Sequence, residues 1–401
     1  MAETLLNVVV VGGSYVGVAT VKELLSILPT THRIILVEPH THFHHLFAFP
    51  RFSILPTHEH KSFIPYTSLF PSSSPHKIIH ARATSLSVNP NLLQLDRSIP
   101  FSNSTSSTEI PFDYLIAATG TTLSFPGTMP FDSKPASIKS LQSYQEQIAR
   151  TDSVLIIGGG AVGVQMACDT KEIYPEKKVV LVHSRERVMK GYEKGLDEVI
   201  QRRFKELGVD FFGGKRVKIP EGGFTFEEGK EIEVEMQGGK GVLKAGLVVQ
   251  ATGQKPNNGW IVKGLGEGVL NERNGFVRVR KTMQFEGKGY ERLFAVGDCN
   301  DSGAHKAAKP GMVQGGVAAR NVVRLIKGGV EKELEEYEVG RAGIHMTLGL
   351  KRHVLFRNPD MAKGETEPFV ETKDDGAEDM NIESVWARRG PAVTSPLDYH
   401  L

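Results

Sequence analysis

Leu5-Leu6-Asn7-Val8-Val9-Val10-Val11-Gly12-Gly13-Ser14-Tyr15-Val16-Gly17 is the stretch on which the fold turns. Residues 5–11 are apolar apart from Asn7, as in a parallel strand covered on both faces. A glycine turn follows, then a helical stretch from Val18 to about Leu28, then a second strand over 33–37 that ends at Glu38. Such a turn offers backbone N–H groups at a helix N-terminus to a pyrophosphate, with no side chain in the way. Gly12, Ser14 and Gly17 fill the three glycine positions, with serine at the middle one, and Gly13 completes the turn. Glu38 falls 21 residues after Gly17, where an acid accepts hydrogen bonds from adenosine ribose hydroxyls.

The pattern returns roughly 145 residues later: a strand over 153–157, the turn Gly158-Gly159-Gly160-Ala161-Val162-Gly163, a helix to about Tyr174, and a strand over 178–182. Gly158, Gly160 and Gly163 give the full triplet. This second strand ends in His183-Ser184-Arg185, with no acid. A carboxylate would repel a 2′-phosphate, whereas a guanidinium pairs with one. The expected cofactor is therefore NADPH, with NADH equally served if Arg185 is only a solvated charge. Strands over 114–118 and 247–251 close on Ala118-Thr119-Gly120 and Ala251-Thr252-Gly253. The fold class expected is α/β, with two Rossmann-like dinucleotide-binding units.

A further apolar strand over 293–296 ends in Gly297-Asp298. An Asp there can bind a ribityl hydroxyl, or merely cap a helix. The helix after it, from Pro310 or Gly311 to Leu325, would aim its positive N-terminus at a flavin.

Composition is that of an ordinary globular chain of 401 residues, 40% hydrophobic and 23% charged. A net charge of +2 makes no electrostatic case for a specific nucleic acid partner. The two cysteines, Cys168 and Cys299, form no C-x-x-C, so no disulfide relay or zinc ribbon is expected, and a reducing compartment is the default. With so early a first strand no leader is expected, and with Ala2 no N-myristoylation. Tyr399-His400-Leu401 resembles a peroxisomal tripeptide only faintly. The Ser/Thr/Asn run over 102–108 reads as a mobile hairpin tip, and 358–379, charged and punctuated by Gly and Pro, as a flexible excursion. His44 and His45, near His40, His42, His58 and His60, bring no third ligand at zinc-like spacing. No metal is expected.

Other segments are more specific still. They include Phe43-His44-His45 with Arg51 downstream, Lys61-Ser62-Phe63-Ile64-Pro65-Tyr66, and Ile110-Pro111-Phe112-Asp113-Tyr114-Leu115-Ile116. Tyr174-Pro175-Glu176-Lys177-Lys178-Val179, Leu181-Val182-His183-Ser184, Gly297-Asp298-Cys299 and Lys306 complete the set. On these residues, from about Val8 to Asn321, the chain resembles the apoptosis-inducing-factor-like branch of the two-dinucleotide flavoproteins. Its Pro- and Ser-marked loops resemble those of fungal members.

The resemblance implies a flavoenzyme that oxidises NAD(P)H and reduces a quinone such as ubiquinone. It implies a glutathione-reductase-like arrangement: an FAD domain split over 1–122 and 255–330, an NAD(P) domain over 123–254, and a small C-terminal domain over 331–401. Arg51 and the segment around Ala83 and Thr84 would contact FAD, joined by Thr119, Gly120 and Gln314. His183 and Gly253 would join Arg185 in the nicotinamide set. His44 and His45 would pack on the flavin side. Gln165 stands where the family has a Glu beside the nicotinamide, and with Lys306 is placed near the flavin–nicotinamide junction. Hydride transfer itself requires no side-chain catalyst. Rival expectations are a reductase of an iron–sulfur carrier and a flavin-bound signalling or nucleic-acid-binding protein. The segment 344–353 mixes apolar and basic residues and reads as a core strand with a basic end, or as a membrane contact near the acceptor's entry. The location expected is cytoplasmic, with peripheral contact to a mitochondrial or lipid-droplet membrane left open.

Overall fold

Four consecutive valines can be buried only if both faces of their strand are covered, and that is their situation here. In the computed structural model, which describes residues 5–102, 105–239 and 241–401, Leu6–Val11 is the central strand of a five-stranded parallel sheet. Across the sheet the order is Leu293–Ala295, Tyr114–Ala117, Leu6–Val11, His32–Val37 and Lys77–Ile79. Val8 and Val10 pack with Val18, Val21 and Leu24 of helix Tyr15–Ile27 and with Val317 and Val322 of helix Ala308–Ile326. Val9 and Val11 face the other way, toward Leu86 and Leu93 of an antiparallel meander (Ala83–Val88, Asn91–Ser102, Thr105–Pro111) and toward Trp260 and Ile261. Alternation of side chains along the strand thus feeds two layers at once.

The second unit repeats the first. Val209–Phe212, Lys178–Val182, Ser153–Ile157 and Leu247–Gln250 form a parallel four-stranded sheet. Val154 and Ile156 pack with helix Ala161–Ile173 and helix Lys194–Leu207, and Leu155 and Ile157 pack against Val217, Val234 and Ala245. The two segments that join the units, Thr121–Leu123 and Gln254–Pro256, pair antiparallel. The chain therefore leaves and re-enters the first unit side by side.

Several expectations are revised. Helix Lys134–Ala149, read as part of the inserted unit, also packs Leu141, with Met129, against Phe49 and Phe63 of the first unit. The long helix begins at Ala308, with Pro310 inside its first turn, where a missing N–H costs nothing. Residues 358–379 are no flexible excursion: Phe369–Lys373 pairs with His353–Arg357, which pairs with Gly343–Thr347, in an antiparallel sheet. The segment 344–353 is consequently two strands and a turn, not one strand. The region from 331 has no separate core. Met346, Leu348, Val354 and Phe356 pack with the second unit, while Tyr337, Ile382, Val385 and Trp386 pack with the first. The polar run lies in strands on either side of Asn103 and Ser104, which with Ala2 fall outside the described residues. Among the described residues no helix is long and apolar enough to cross a membrane.

Candidate active site

Both glycine turns open onto one cavity of 2910 Å³. Single-ligand pockets run to about 1,000 Å³, so this volume suits two large ligands. In the first turn Gly12 has φ +105°, and a Cβ there would lie 2.5 Å from the Ala118 carbonyl oxygen. A Cβ at Gly17 would lie 1.7 Å from the Gly12 carbonyl oxygen. In the second turn Gly158 has φ +125° with a Cβ 2.1 Å from the Ala251 carbonyl oxygen, and Gly163 repeats Gly17 at 2.0 Å from Gly158. These glycines let strand and helix approach. Gly17 and Gly163 accordingly lie behind the cavity wall rather than on it.

The middle position is different. A Cβ at Gly160 meets nothing within 4 Å because the residue opens to the cavity. Ser14 takes the same place in the first turn, at the N-cap of helix Tyr15–Ile27, yet makes no capping hydrogen bond. Its Oγ is buried without a partner. Such a hydroxyl ordinarily satisfies a first-turn N–H, and leaving it bare costs about 1–3 kcal/mol. An orphaned hydroxyl beside free helix N–H groups fits an anionic ligand such as a pyrophosphate.

Glu38 is buried at the end of His32–Val37 and lines the cavity. Its carboxylate accepts the Gly13 N–H at 2.5 Å and the His40 N–H at 3.0 Å, and pairs with His40 Nδ1 at 2.5 Å. Burial works against its charge, but the His40 side chain and the two N–H groups outweigh that and hold it below the usual carboxylate range. Gly13 is thereby spoken for by Glu38 and does not line the cavity. In the second turn the same N–H, of Gly159, goes to His183 Nδ1 at 3.0 Å. Arg185 is exposed on the wall nearby.

Asp298 sits in the turn Gly297–Cys299. Burial raises its carboxyl, against the pull of Lys306 and the Ala307 N–H. Lys306 Nζ donates to the Asn300 carbonyl and lies 4.0 Å from the Phe276 ring centroid. Burial lowers this ammonium, and Asp298 opposes the shift. Gln165 lines the cavity with Nε2 3.9 Å from Met380 Sδ. Ala83, Thr119, Gly120 and Gly253 line it as well, and so do His44 and His45. Thr119 and Asn257 hold the paired connections together through reciprocal bonds of 3.0 and 2.9 Å.

Besides Gly13, Gly17 and Gly163, three more residues expected at the cofactors do not line the cavity. Arg51 is fully buried, bound to Asp169 and backbone carbonyls, and lines no part of the cavity. Thr84 spends its hydroxyl on the Gln94 carbonyl at 3.3 Å. Gln314 braces the Asp298 turn from behind, its Oε1 accepting from Gly297 N–H and Asn300 Nδ2 at 2.8 Å each.

Residues 6–320 match the model of the pyridine nucleotide-disulphide oxidoreductase family. The chain belongs to that family.

This oxidoreductase is 33% identical to Fe-regulated protein 8 of Mycosarcoma maydis, over 96% of this chain and 95% of that one. It is 30% identical to ferroptosis suppressor protein 1 of Mus musculus, over 86% of each chain. Its fold is that of the sulfide:quinone oxidoreductase of Aquifex aeolicus, with a TM-score of 0.72 at 17% identity, covering 96% and 90% of the two chains. As a member of the pyridine nucleotide-disulphide oxidoreductases it is an NAD(P)H-dependent flavin oxidoreductase, using a flavin and a nicotinamide cofactor. The disulphide in the family name has no counterpart here: Cys168 and Cys299 are both free and buried.

Two groups were not legible as site residues. Lys215 and Arg216 line the wall beside His183, tied there by Lys215 N–H to the His183 carbonyl at 2.9 Å. A basic pair closely following the strand Val209–Phe212 was their only signal. Arg389, from the far C-terminal end, lies 5.0 Å from the Tyr15 ring centroid and 4.5 Å from that of Phe43, and no local pattern announces it.

Proposed function

We propose that the oxidoreductase binds FAD in the first unit and NADPH in the second, and that a quinone takes the electrons. The observation that carries this reading is that two glycine turns with different strand-end residues, Glu38 at one and His183-Ser184-Arg185 at the other, share one cavity. Around the first, Ser14, Glu38 and Asp298 offer a hydroxyl and two carboxylates, suited to the pyrophosphate, adenosine ribose and ribityl chain of FAD. Around the second, Arg185, Lys190, Lys215 and Arg216 offer four cations, and among the described residues no carboxylate from 183–237 lines the cavity. That wall suits a 2′-phosphate. The same reading assigns 1–122 with 255–330 to FAD and 123–254 to NADPH, with 331–401, which has no core of its own, packed against both.

When bound, the two cofactors supply the redox chemistry. The protein's share is to hold and orient them. Gln314, on helix Ala308–Ile326, fixes the turn that carries Asp298, and the positive end of that helix favours negative charge nearby. Gln165 offers an amide where a carboxylate would add charge. Phe47 and Val313 line the cavity with about half their surface bare, 53% and 52%, which suits an apolar ring. With no cysteine pair to relay electrons, a small acceptor is favoured over a disulfide. A long-tailed quinone would be met at a membrane face, so co-sedimentation with anionic liposomes at low salt is a companion test.

The decisive assay is steady-state NADPH oxidation by the yellow purified protein with and without a ubiquinone analogue. Stimulation by the quinone is expected. Equal slow turnover in its presence and absence would remove the quinone from the account.

A further inference from the structure

We infer that Arg51 is a positioning residue: it ties three walls of the cavity together and so sets the alignment between the two units on which hydride transfer depends. This rests on the two-cofactor reading above. A guanidinium has five N–H groups, and here every one has an acceptor. Nε donates to Asp169 Oδ2 at 3.1 Å, and Nη2 to Asp169 Oδ1 at 3.0 Å and to the Gly349 carbonyl at 2.5 Å. Nη1 donates to the carbonyls of Ala377 at 3.1 Å and Leu350 at 3.3 Å, with Glu378 at 3.5 Å a longer contact. Both Arg51 and Asp169 are fully buried.

Each partner belongs to a segment that lines the cavity or adjoins one. Pro50, next to Arg51, is on the wall of the first unit. Asp169 lies on helix Ala161–Ile173 four residues after Gln165, hence on the same face. Ala377 and Met380 form a third wall, and Gln165 Nε2 reaches Met380 Sδ. Met380 and Asn381 have φ of +56° and +54°, a left-handed conformation unfavourable for residues with a Cβ. That segment is pinned at both ends, by Arg51 on one side and by the fully buried Trp386 of helix Ile382–Arg389 on the other. The turn 348–350 is clamped from a second direction. Glu172 accepts the Leu350 N–H at 2.6 Å and pairs with Arg203, whose Nε donates to the Leu348 carbonyl at 2.9 Å.

Stability alone does not call for such a node. A buried ion pair loses its hydration, and an apolar pair of similar volume is often as stable. What apolar contact lacks is direction. Five aimed N–H bonds fix where the first unit, the nicotinamide helix and the 377–380 segment sit relative to one another, and reacting atoms misplaced by about 1 Å can cost a hundredfold in rate.

The test compares wild type, Arg51→Lys and the apolar double variant Arg51→Met/Asp169→Leu as holoproteins. FAD content and the NADPH dissociation constant should stay close to wild type, and so should reoxidation by a ubiquinone analogue after photoreduction. The limiting rate of flavin reduction by NADPH should fall about tenfold to a hundredfold, with weakening of the long-wavelength charge-transfer absorbance. A double variant that binds both cofactors and reduces its flavin at the wild-type rate would overturn the inference, as would equal losses in NADPH-driven reduction and photoreduced reoxidation. Should the double variant not fold, hydrogen exchange on Arg51→Lys as purified decides. Lysine has three donors for five acceptors, so the Leu350 and Met380 amides should exchange at least about tenfold faster, a loss of roughly 1.4 kcal/mol of protection. Unchanged exchange overturns the inference. A wild type that carries no flavin would contradict the cofactor reading instead.

Discussion

The two glycine turns have nearly the same backbone and different surroundings. Each begins with a left-handed glycine pressed on a carbonyl of the neighbouring strand, Gly12 on Ala118 and Gly158 on Ala251. Each ends with a glycine pressed on the first, Gly17 on Gly12 and Gly163 on Gly158. Even the second N–H of each turn has the same fate, accepted by a side chain from the end of the adjacent strand. That side chain is Glu38 in one unit and His183 in the other. The difference teaches that packing fixes the outer glycines, while the middle position and the strand end are free to be tuned to the ligand. Ser14 against Gly160, and Glu38 against His183 with its cations, are the tuned positions.

The sharpest way to break the comparison is to attack the shared part. Gly17→Ala and Gly163→Ala place a Cβ within about 2 Å of backbone oxygen, so each should cost several kcal/mol, on the order of 3 or more. Thermal unfolding should show both losses, with flavin missing from Gly17→Ala and NADPH binding missing from Gly163→Ala. Gly160→Ala should by contrast leave the melting temperature unchanged and weaken only NADPH binding, since its Cβ meets open space. A large melting shift there would mean that the middle position is structural after all.

Next in size is the electrostatic difference. Arg185→Ala combined with Lys215→Ala should raise the KM for NADPH about tenfold to a hundredfold, since a charge-assisted contact is worth roughly 1.5–3 kcal/mol. The KM for NADH should move little. Equal effects on both cofactors would mean that these cations do not read the phosphate.

The smallest effect is a pH dependence that separates the two acceptors. Burial first, then Arg185, lowers His183 below its ordinary value of 6.5, and Asp197 opposes the shift. The unfolded chain therefore binds more protons than the folded one between that lowered value and 6.5. Stability rises with pH across this window and is lost as pH falls below about 6.5. Glu38, held below the usual carboxylate range, keeps its charge to lower pH. Protonated His183 can no longer accept the Gly159 N–H, which loosens the second turn, so affinity for NADPH should weaken before flavin is released as the solution is acidified, by about 1 kcal/mol, and His183→Asn should flatten the profile. Simultaneous loss of both cofactors would show that the acceptors do not differ as drawn.

The sequence and the structure agree where the signals are local. Strand, turn and helix in each unit span about thirty residues, so periodicity and glycine spacing carry them, and the strands Ser153–Ile157 and Lys178–Val182 fall where the pattern puts them. Arg51 was legible as a residue of consequence but not in its role. Its partners lie 118 and roughly 300 residues away, and no spacing rule reaches that far. Gln314 likewise acts through the Asp298 turn rather than on the cavity. Residues 358–379 carry the charge and glycine of a disordered segment, and long-range pairing overrides them. The strand Phe369–Lys373 is stabilised instead by edge pairing and by Arg352 and His353 binding Asp374 and Asp375.

The central claim is that one cavity holds a flavin against the first turn and NADPH against the second, close enough for direct reduction. Anaerobic mixing of the purified yellow protein with NADPH measures this most directly. The account predicts single-phase bleaching of the flavin that saturates with NADPH and is many-fold less efficient with NADH. A flavin that stays oxidised under excess NADPH, in a protein shown to bind both cofactors, would contradict it.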